Sequence, residues 1–352
     1  MATSFIGEHF NVRDYWGRQE VYIIEAVKRQ VAEQYPDSDN LIINTTWFGP
    51  QFNQTSWRKY QSLIQTNTKF DKLFWLSSSD PICLVPEQME QIESSLAVQE
   101  QYYLGNFDNS AYEFNIGSIA SYQDFVQYDV DDLLLKDPKY LFVNYNRKPK
   151  PHRINFVQKL KDNNLLDLGI VTLGKNDVGY DITGGKDTDL YLTIDDKPEE
   201  YTMHGKYNLH TSFGRIPYDV CSLGRLDIWQ QHFLNIVSET EFNPWDNIFV
   251  SEKTWKPIIG LRPFVINGQL KIYDWLRNNG FRTFNHYFSS PIEGIKEFEI
   301  HDSIIAVIQA LSKMPASKIV SLYNDMLPDL KYNKLRFEEF AQEQLIKVDH
   351  LF

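Results

Sequence analysis

Short apolar runs of strand length alternate along this 352-residue chain with segments of helical spacing, and no other feature constrains the fold as much. Residues 41–47 (Leu-Ile-Ile-Asn-Thr-Thr-Trp), 72–76 (Lys-Leu-Phe-Trp-Leu), 140–144 (Tyr-Leu-Phe-Val-Asn) and 168–172 (Leu-Gly-Ile-Val-Thr) read as strands. Ahead of the first run, residues 20–33 place Ile24, Val27 and Val31 on one helical face. Parallel strands cannot be joined by a tight turn and need a crossover, usually a helix, so strand and helix alternate. The pattern predicts an α/β architecture with parallel sheets.

With 42% hydrophobic residues, a chain of this length can bury two cores, because single cores stop growing at roughly 250–300 residues. We expect an N-terminal domain over residues 1–135, a second over 136–300, and helices over 301–352 packing back across both. A helix over about 56–66 leads into the strand at 72–76. Residues 98–136, rich in Tyr, Asn, Asp and Phe but weakly periodic, read as the tail of the first domain and the crossing into the second. Residues 175–205 read as a loop insertion. Residues 226–234 read as helix, 235–238 as strand, and 270–279 as a helix that Gly280 stops with a left-handed cap.

The formal net charge of −12 disfavours broad adhesion to nucleic acid, whose affinity rests mainly on neutralised phosphates. Cys83 and Cys221 are too few for a disulfide scaffold and lack metal-ligand spacing. The start of the sequence has no basic segment followed by an apolar run, and no apolar stretch approaches the roughly 20 residues that span a bilayer. These features predict a cytoplasmic protein without a membrane span, in the host cytoplasm if the chain is viral. The high aromatic content, 14%, is read as packing.

Residues 247–268 carry the strongest chemical signal. Residues 248–250 read as an apolar strand, Ser251 as an N-cap, and Glu252 and Lys253 as the first turn of a helix, where free N–H groups and the helix dipole favour anions. A carboxylate there can accept from ribose hydroxyls, and an ammonium can neutralise a phosphate. Arg262-Pro-Phe-Val-Ile-Asn-Gly268 follows as a short strand closed by glycine, and Pro257 should kink or shorten the helix between. Upstream, the basic turn Arg147-Lys-Pro-Lys-Pro-His-Arg153 opens a helix, with Pro151 near its start, where a missing N–H costs little.

Residues 140–153, the run Leu165-Leu-Asp-Leu-Gly-Ile-Val-Thr172, Glu239, Val250-Ser-Glu-Lys-Thr254 and residues 262–268 together resemble the C-terminal donor domain of the α-1,3-fucosyltransferase-like glycosyltransferases. The likeness covers roughly residues 138–290; residues 1–130 show only a compatible α/β pattern. It implies a GT-B fold, two Rossmann-like domains whose parallel sheets face a cleft. It further implies transfer of a sugar from a nucleotide-sugar donor to an acceptor hydroxyl on a glycan or saccharide, inverting and independent of a metal or other cofactor. Arg153 matches the family's diphosphate-contacting arginine, with His152 beside it. Glu252 and Lys253 match its ribose- and phosphate-contacting pair. Where the family usually has Glu-Asn against the donor, this chain has Glu239-Thr240, without the amide. Asn146, Lys150 and Ser251 complete the expected donor-binding set.

A transfer of this kind needs a base for the acceptor hydroxyl, usually a carboxylate held over the cleft by the first domain. Asp80, in the polar turn after residues 72–76, is the candidate, with Glu8, Asp14, Glu87 and Asp108 as alternatives. Asp187-Thr188-Asp189 has the form of a metal-holding Asp-x-Asp, but it follows no hydrophobic strand of a nucleotide-binding first domain. His204, His210 and His286 lack zinc spacing, and Ser77, Ser78 and Ser79 lack a nucleophile elbow. Two rivals stand beside glycan transfer. One is a phage-type transferase acting on hydroxylated DNA bases, which would need a basic cleft from Arg13, Arg18, Arg58 and Lys59. The other is a nucleotide-sugar-binding protein without turnover.

Overall fold

In the computed structural model, which describes residues 3–6, 15–44, 69–77, 98–105, 127–146, 150–173, 223, 225–240, 242, 248 and 250–352, eight strands form two four-stranded sheets, all of whose pairings are parallel. The first sheet runs in the order β1 (Thr3–Ile6), β2 (Asn40–Asn44), β3 (Lys72–Ser77), β4 (Glu100–Gly105). Helix α1 (Tyr15–Gln34) covers it. Its Ile24, Val27 and Val31 are buried against Ile42, Phe74, Leu76 and Leu104, as their spacing predicts.

Within residues 98–136, read as the tail of the first domain and the crossing into the second, the structure forms a strand that the sequence reading did not foresee, β4 of the first sheet. Its Glu-Gln-Tyr-Tyr-Leu-Gly sequence hides the alternation, because at the sheet edge Glu100 stays outside to meet Lys72 and the Tyr102 hydroxyl. The Tyr102 ring stacks on Phe74 at 4.8 Å. A four-residue helix, α2 (Val130–Leu133), then leads to the second sheet.

That sheet has the order β6 (Gly169–Val171), β5 (Tyr140–Asn144), β7 (His232–Ser238), β8 (Phe264–Asn267). All seven residues of β7 are buried, as expected of a central parallel strand covered on both faces. The strand begins three residues earlier than its apolar run suggests. His232 ends helix α4 (Leu226–Gln231; α3 is Pro151–Asp162) by bonding the Ile228 carbonyl through both its backbone N–H and its ring Nδ1, and it then pairs with Tyr140. Of the strand expected at residues 248–250, Ile248 and Val250 are described, and both lie outside regular structure. β7 pairs directly with β8, from Asn235 opposite Phe264 to Ser238 opposite Asn267, so no strand lies between them. Val250 instead plugs the core below helix α5 (Glu252–Ile259).

Three further helices complete the chain: α6 (Lys271–Asn278), stopped by Gly280 at φ +84° as its position predicts, α7 (Ile300–Ser312) and α8 (Ala316–Asp349). The 34 residues of α8 span roughly 50 Å, long enough to serve both sheets. Phe337 and Phe340 pack on Trp255 of α5, at 5.0 and 5.9 Å between rings, whereas Val348 and Leu351 join the core of the first sheet. Gln30 of α1 fastens that end, donating to the Val348 carbonyl at 2.6 Å and accepting from the Leu351 N–H at 2.8 Å. No single described helix is long and apolar enough to cross a membrane.

Candidate functional site

The chain leaves β5 towards β6 on one side, while β7 lies on the other, so the connections following the carboxyl ends of β5 and β7 diverge. Open α/β sheets bind ligands in the crevice at such a switch point. Helix α3 begins just after β5, and α5 follows β7. Both helix starts therefore belong to this edge of the sheet.

Three of these strands end in a polar residue, β6 is followed at once by Thr172, and these residues are joined. Asn146, whose backbone N–H bonds the Thr172 hydroxyl, donates through Nδ2 to the Thr172 carbonyl at 3.0 Å and to Asn144 Oδ1 at 2.5 Å. Asn144 donates to Ser238 Oγ at 3.0 Å, and Asn267 donates to the same oxygen at 3.2 Å. Asn267 in turn accepts from His301 Nε2 of α7 at 2.9 Å. This is an unbroken polar row across the carboxyl ends of all four strands. Buried polar groups persist when bonded in this way, and such networks rigidify what they connect. Sequence reading found Asn146 in this row but missed Asn144, Ser238, Asn267 and His301. The signal was present: three apolar strand sequences, Tyr-Leu-Phe-Val-Asn, His-Phe-Leu-Asn-Ile-Val-Ser and Phe-Val-Ile-Asn, each stop at an amide or a hydroxyl.

Two cations expected in the site reach the three residues that close β7. Arg153, in the first turn of α3 and only 3% exposed, donates through Nη2 to the carbonyls of Ser238 and Glu239, both at 3.0 Å. Lys253, in the first turn of α5, donates to Thr240 Oγ1 at 3.3 Å, to Ser251 Oγ at 3.2 Å and to Glu252 Oε1 at 2.7 Å. Burial works against ionisation of Glu252, but the charge and hydrogen bond of Lys253, together with the Lys256 charge and a backbone hydrogen bond, hold the carboxyl below its usual range. Lys150, the N-cap residue of α3, offers its carbonyl to the Arg153 and Ile154 N–H groups, both at 3.0 Å.

Ser251 caps α5 as its sequence position implies, accepting from the Lys253 N–H at 3.3 Å. Its hydroxyl donates in turn to Glu239 Oε2 at 2.6 Å. Glu239 is fully buried, and its carboxylate also accepts from the Ser251 N–H at 3.1 Å, the Thr254 hydroxyl at 2.7 Å and the Thr240 N–H at 3.3 Å. The carboxylate thus ties the end of β7 to the start of α5. Gly268, at the end of β8, lets that backbone lie against Glu239: a Cβ there would sit 3.2 Å from Glu239 Cβ.

His152, beside Arg153, donates through Nε2 to the Glu239 carbonyl at 3.0 Å and stacks on Phe242 at 5.1 Å. Burial, assisted by the Arg153 charge, pushes it down to about 3, so the ring is neutral near pH 7. Burial likewise lowers His301 to about 4. Neither ring adds charge to the site. Asp80, its alternatives Glu8, Asp14, Glu87 and Asp108, the Asp187-Thr188-Asp189 motif, His204, His210, Arg13, Arg58 and Lys59 lie outside the described residues.

No family model matches the chain, and no curated protein matches it.

Proposed function

We propose that this chain is a glycosyltransferase of GT-B architecture, holding a nucleotide-sugar donor at the carboxyl edge of its second sheet. The observation that carries the reading is that Arg153 and Lys253 meet at one tripeptide, Ser238 to Thr240, at the switch point of a parallel sheet. Lys253 meets the outer phosphate of the donor, and Glu252 accepts from a ribose hydroxyl through the carboxylate oxygen not engaged by Lys253. Arg153 shapes the crevice from below, its charge spread into the carbonyls of β7.

In the transfer, an acceptor hydroxyl on a glycan or saccharide attacks the anomeric carbon while the bond to the phosphate oxygen breaks. Negative charge then collects on the departing nucleoside diphosphate. A fixed ammonium and oriented backbone dipoles stabilise that charge most when they are already in place before it develops. The acceptor proton passes to a carboxylate, the role assigned to Asp80. Under this reading donor and product sit in the same place, so nucleoside diphosphates are the simplest probes.

The test is a thermal-shift and calorimetric screen with UDP, GDP and a panel of nucleotide sugars, followed by assay of donor hydrolysis. A ligand specific for the folded state raises apparent stability, by about 2.7 kcal/mol at a hundredfold excess over its Kd. We expect one nucleoside diphosphate and its sugar conjugates to raise Tm, with slow hydrolysis of the conjugate. Absence of a shift with every compound sinks the proposal, and binding without turnover points to a non-catalytic nucleotide-sugar-binding protein.

A further inference from the structure

We infer that Glu239 is a positioning residue, which sets the start of α5 against the end of β7 and reaches the ligand only through Lys253 and the backbone of α5. The inference rests on the donor-site reading for its functional meaning, although its structural part stands by itself. The carboxylate is enclosed, and its oxygens are taken up by Ser251, Thr254 and Thr240. A ligand could reach it only by displacing these donors. Three of the four donated bonds come from the two residues that flank Glu252 and Lys253, and the fourth from Thr240, whose hydroxyl also receives Lys253 Nζ. One buried group therefore braces the first turn of α5 and, through Ser251 and Thr240, two of the three oxygens that hold the ammonium.

Charge matters to this brace as well as shape. A carboxylate is acceptor-only and can take all four donated bonds, and bonds to an ionised acceptor are roughly twice as strong as neutral ones. A glutamine amide of the same size turns an NH2 group towards two of the four donors. Gly268 permits the close approach of β8 that encloses the group, and Ser251 works in both directions, capping α5 while donating to Glu239.

The experiment compares wild type, Glu239→Gln, Glu239→Asp, Lys253→Ala and the double variant Glu239→Gln/Lys253→Ala, reading residue-level amide exchange and affinity for UDP and GDP. In Glu239→Gln, exchange at Ser251, Lys253 and Thr254 should quicken about tenfold or more, while β5 and β7 keep their wild-type protection; uniform loosening of the sheet would mark a merely structural role and overturn the inference. Affinity should fall about tenfold in each single variant, yet the double variant should lose little more than Lys253→Ala, because the two act through one element. Losses that multiply would mean that Glu239 touches the ligand itself, and would also overturn it. Glu239→Asp, which keeps the charge, should recover part of both readouts and serves if Glu239→Gln does not fold. If wild type binds no compound of the nucleoside diphosphate and nucleotide-sugar panel, the donor-site reading fails alone, and the exchange measurements still decide the role of Glu239.

Discussion

Arg153 and Lys253, on different helices and far apart in the chain, hydrogen-bond one tripeptide: Arg153 holds the carbonyls of Ser238 and Glu239, and Lys253 holds the hydroxyl of Thr240. Their surroundings differ, however. Arg153 is buried and satisfies two strand-end carbonyls, whereas the Lys253 side chain is 28% exposed among hydroxyls and one carboxylate.

This difference separates the effects of removing them. Arg153→Met leaves two buried carbonyls without that donor and should cost about 2–4 kcal/mol of folding stability. Lys253→Met should cost less than about 1 kcal/mol, because partly exposed ion pairs contribute little, yet it should remove most nucleoside diphosphate affinity. Urea denaturation and calorimetry on the two variants check both statements, and the opposite ranking of stabilities would refute the assignment.

Arg262 is a second, purely architectural arginine. Fully buried, it donates to the carbonyls of Leu133, Trp229, Gly260 and Leu261 and to the Tyr323 hydroxyl, binding α2, α4, the end of α5 and α8 together. Burial lowers it to about 10, still charged near neutrality. Lysine lacks the planar fork that reaches these acceptors together, so Arg262→Lys should destabilise by roughly 2–4 kcal/mol. Gly260→Ala should cost about 1–3 kcal/mol or more, since its Cβ would lie 2.3 Å from the Trp229 ring. Chemical denaturation measures both, and a neutral Gly260→Ala would show that Trp229 can move.

Acid should weaken the fold in a defined window. His152 and His232 are lowered to about 3 and His301 to about 4, each chiefly by burial. Between those values and about pH 6.5 the unfolded chain takes up protons at these positions and the folded chain does not. Stability therefore falls as pH falls, by up to roughly 1.4 kcal/mol per pH unit for each histidine. Denaturation midpoints should drop from pH 7 to pH 5, and less steeply in His232→Gln. A midpoint flat across that interval would contradict the burial of these rings.

The end of α8 should matter to the first sheet rather than the second. Val348 and Leu351 are buried with Ile42, Phe74 and Leu104, and Phe352 meets Tyr35 and Phe74 edge-on at 5.7 and 6.0 Å. Leu351→Ala should cost about 2–5 kcal/mol, and amide exchange should show the loosening in β2 and β3 first. Equal loosening in β5 and β7 would show that the two sheets unfold as one unit.

Much of the scaffold was legible because its signals are local. The helical face of α1, the cap at Ser251, the left-handed stop at Gly280 and the first-turn proline of α3 each depend on residues within one or two turns of chain. β4 escaped notice because an edge strand keeps polar side chains outside, and only the sheet order shows that β7 pairs directly with β8, with no strand between them. The same division runs through the site. Sequence determined that Arg153, Glu252 and Lys253 would stand at helix starts, since strand and helix boundaries follow from period and capping. Tertiary structure decided where their charges go: it enclosed Glu239 among Ser251, Thr254 and Thr240, turned Arg153 onto the carbonyls of β7, and joined Asn146, Asn144, Ser238, Asn267 and His301 into one row. Those partners meet only because the strands assemble in the order β6-β5-β7-β8, and that order arises from packing between segments whose separation no local spacing encodes.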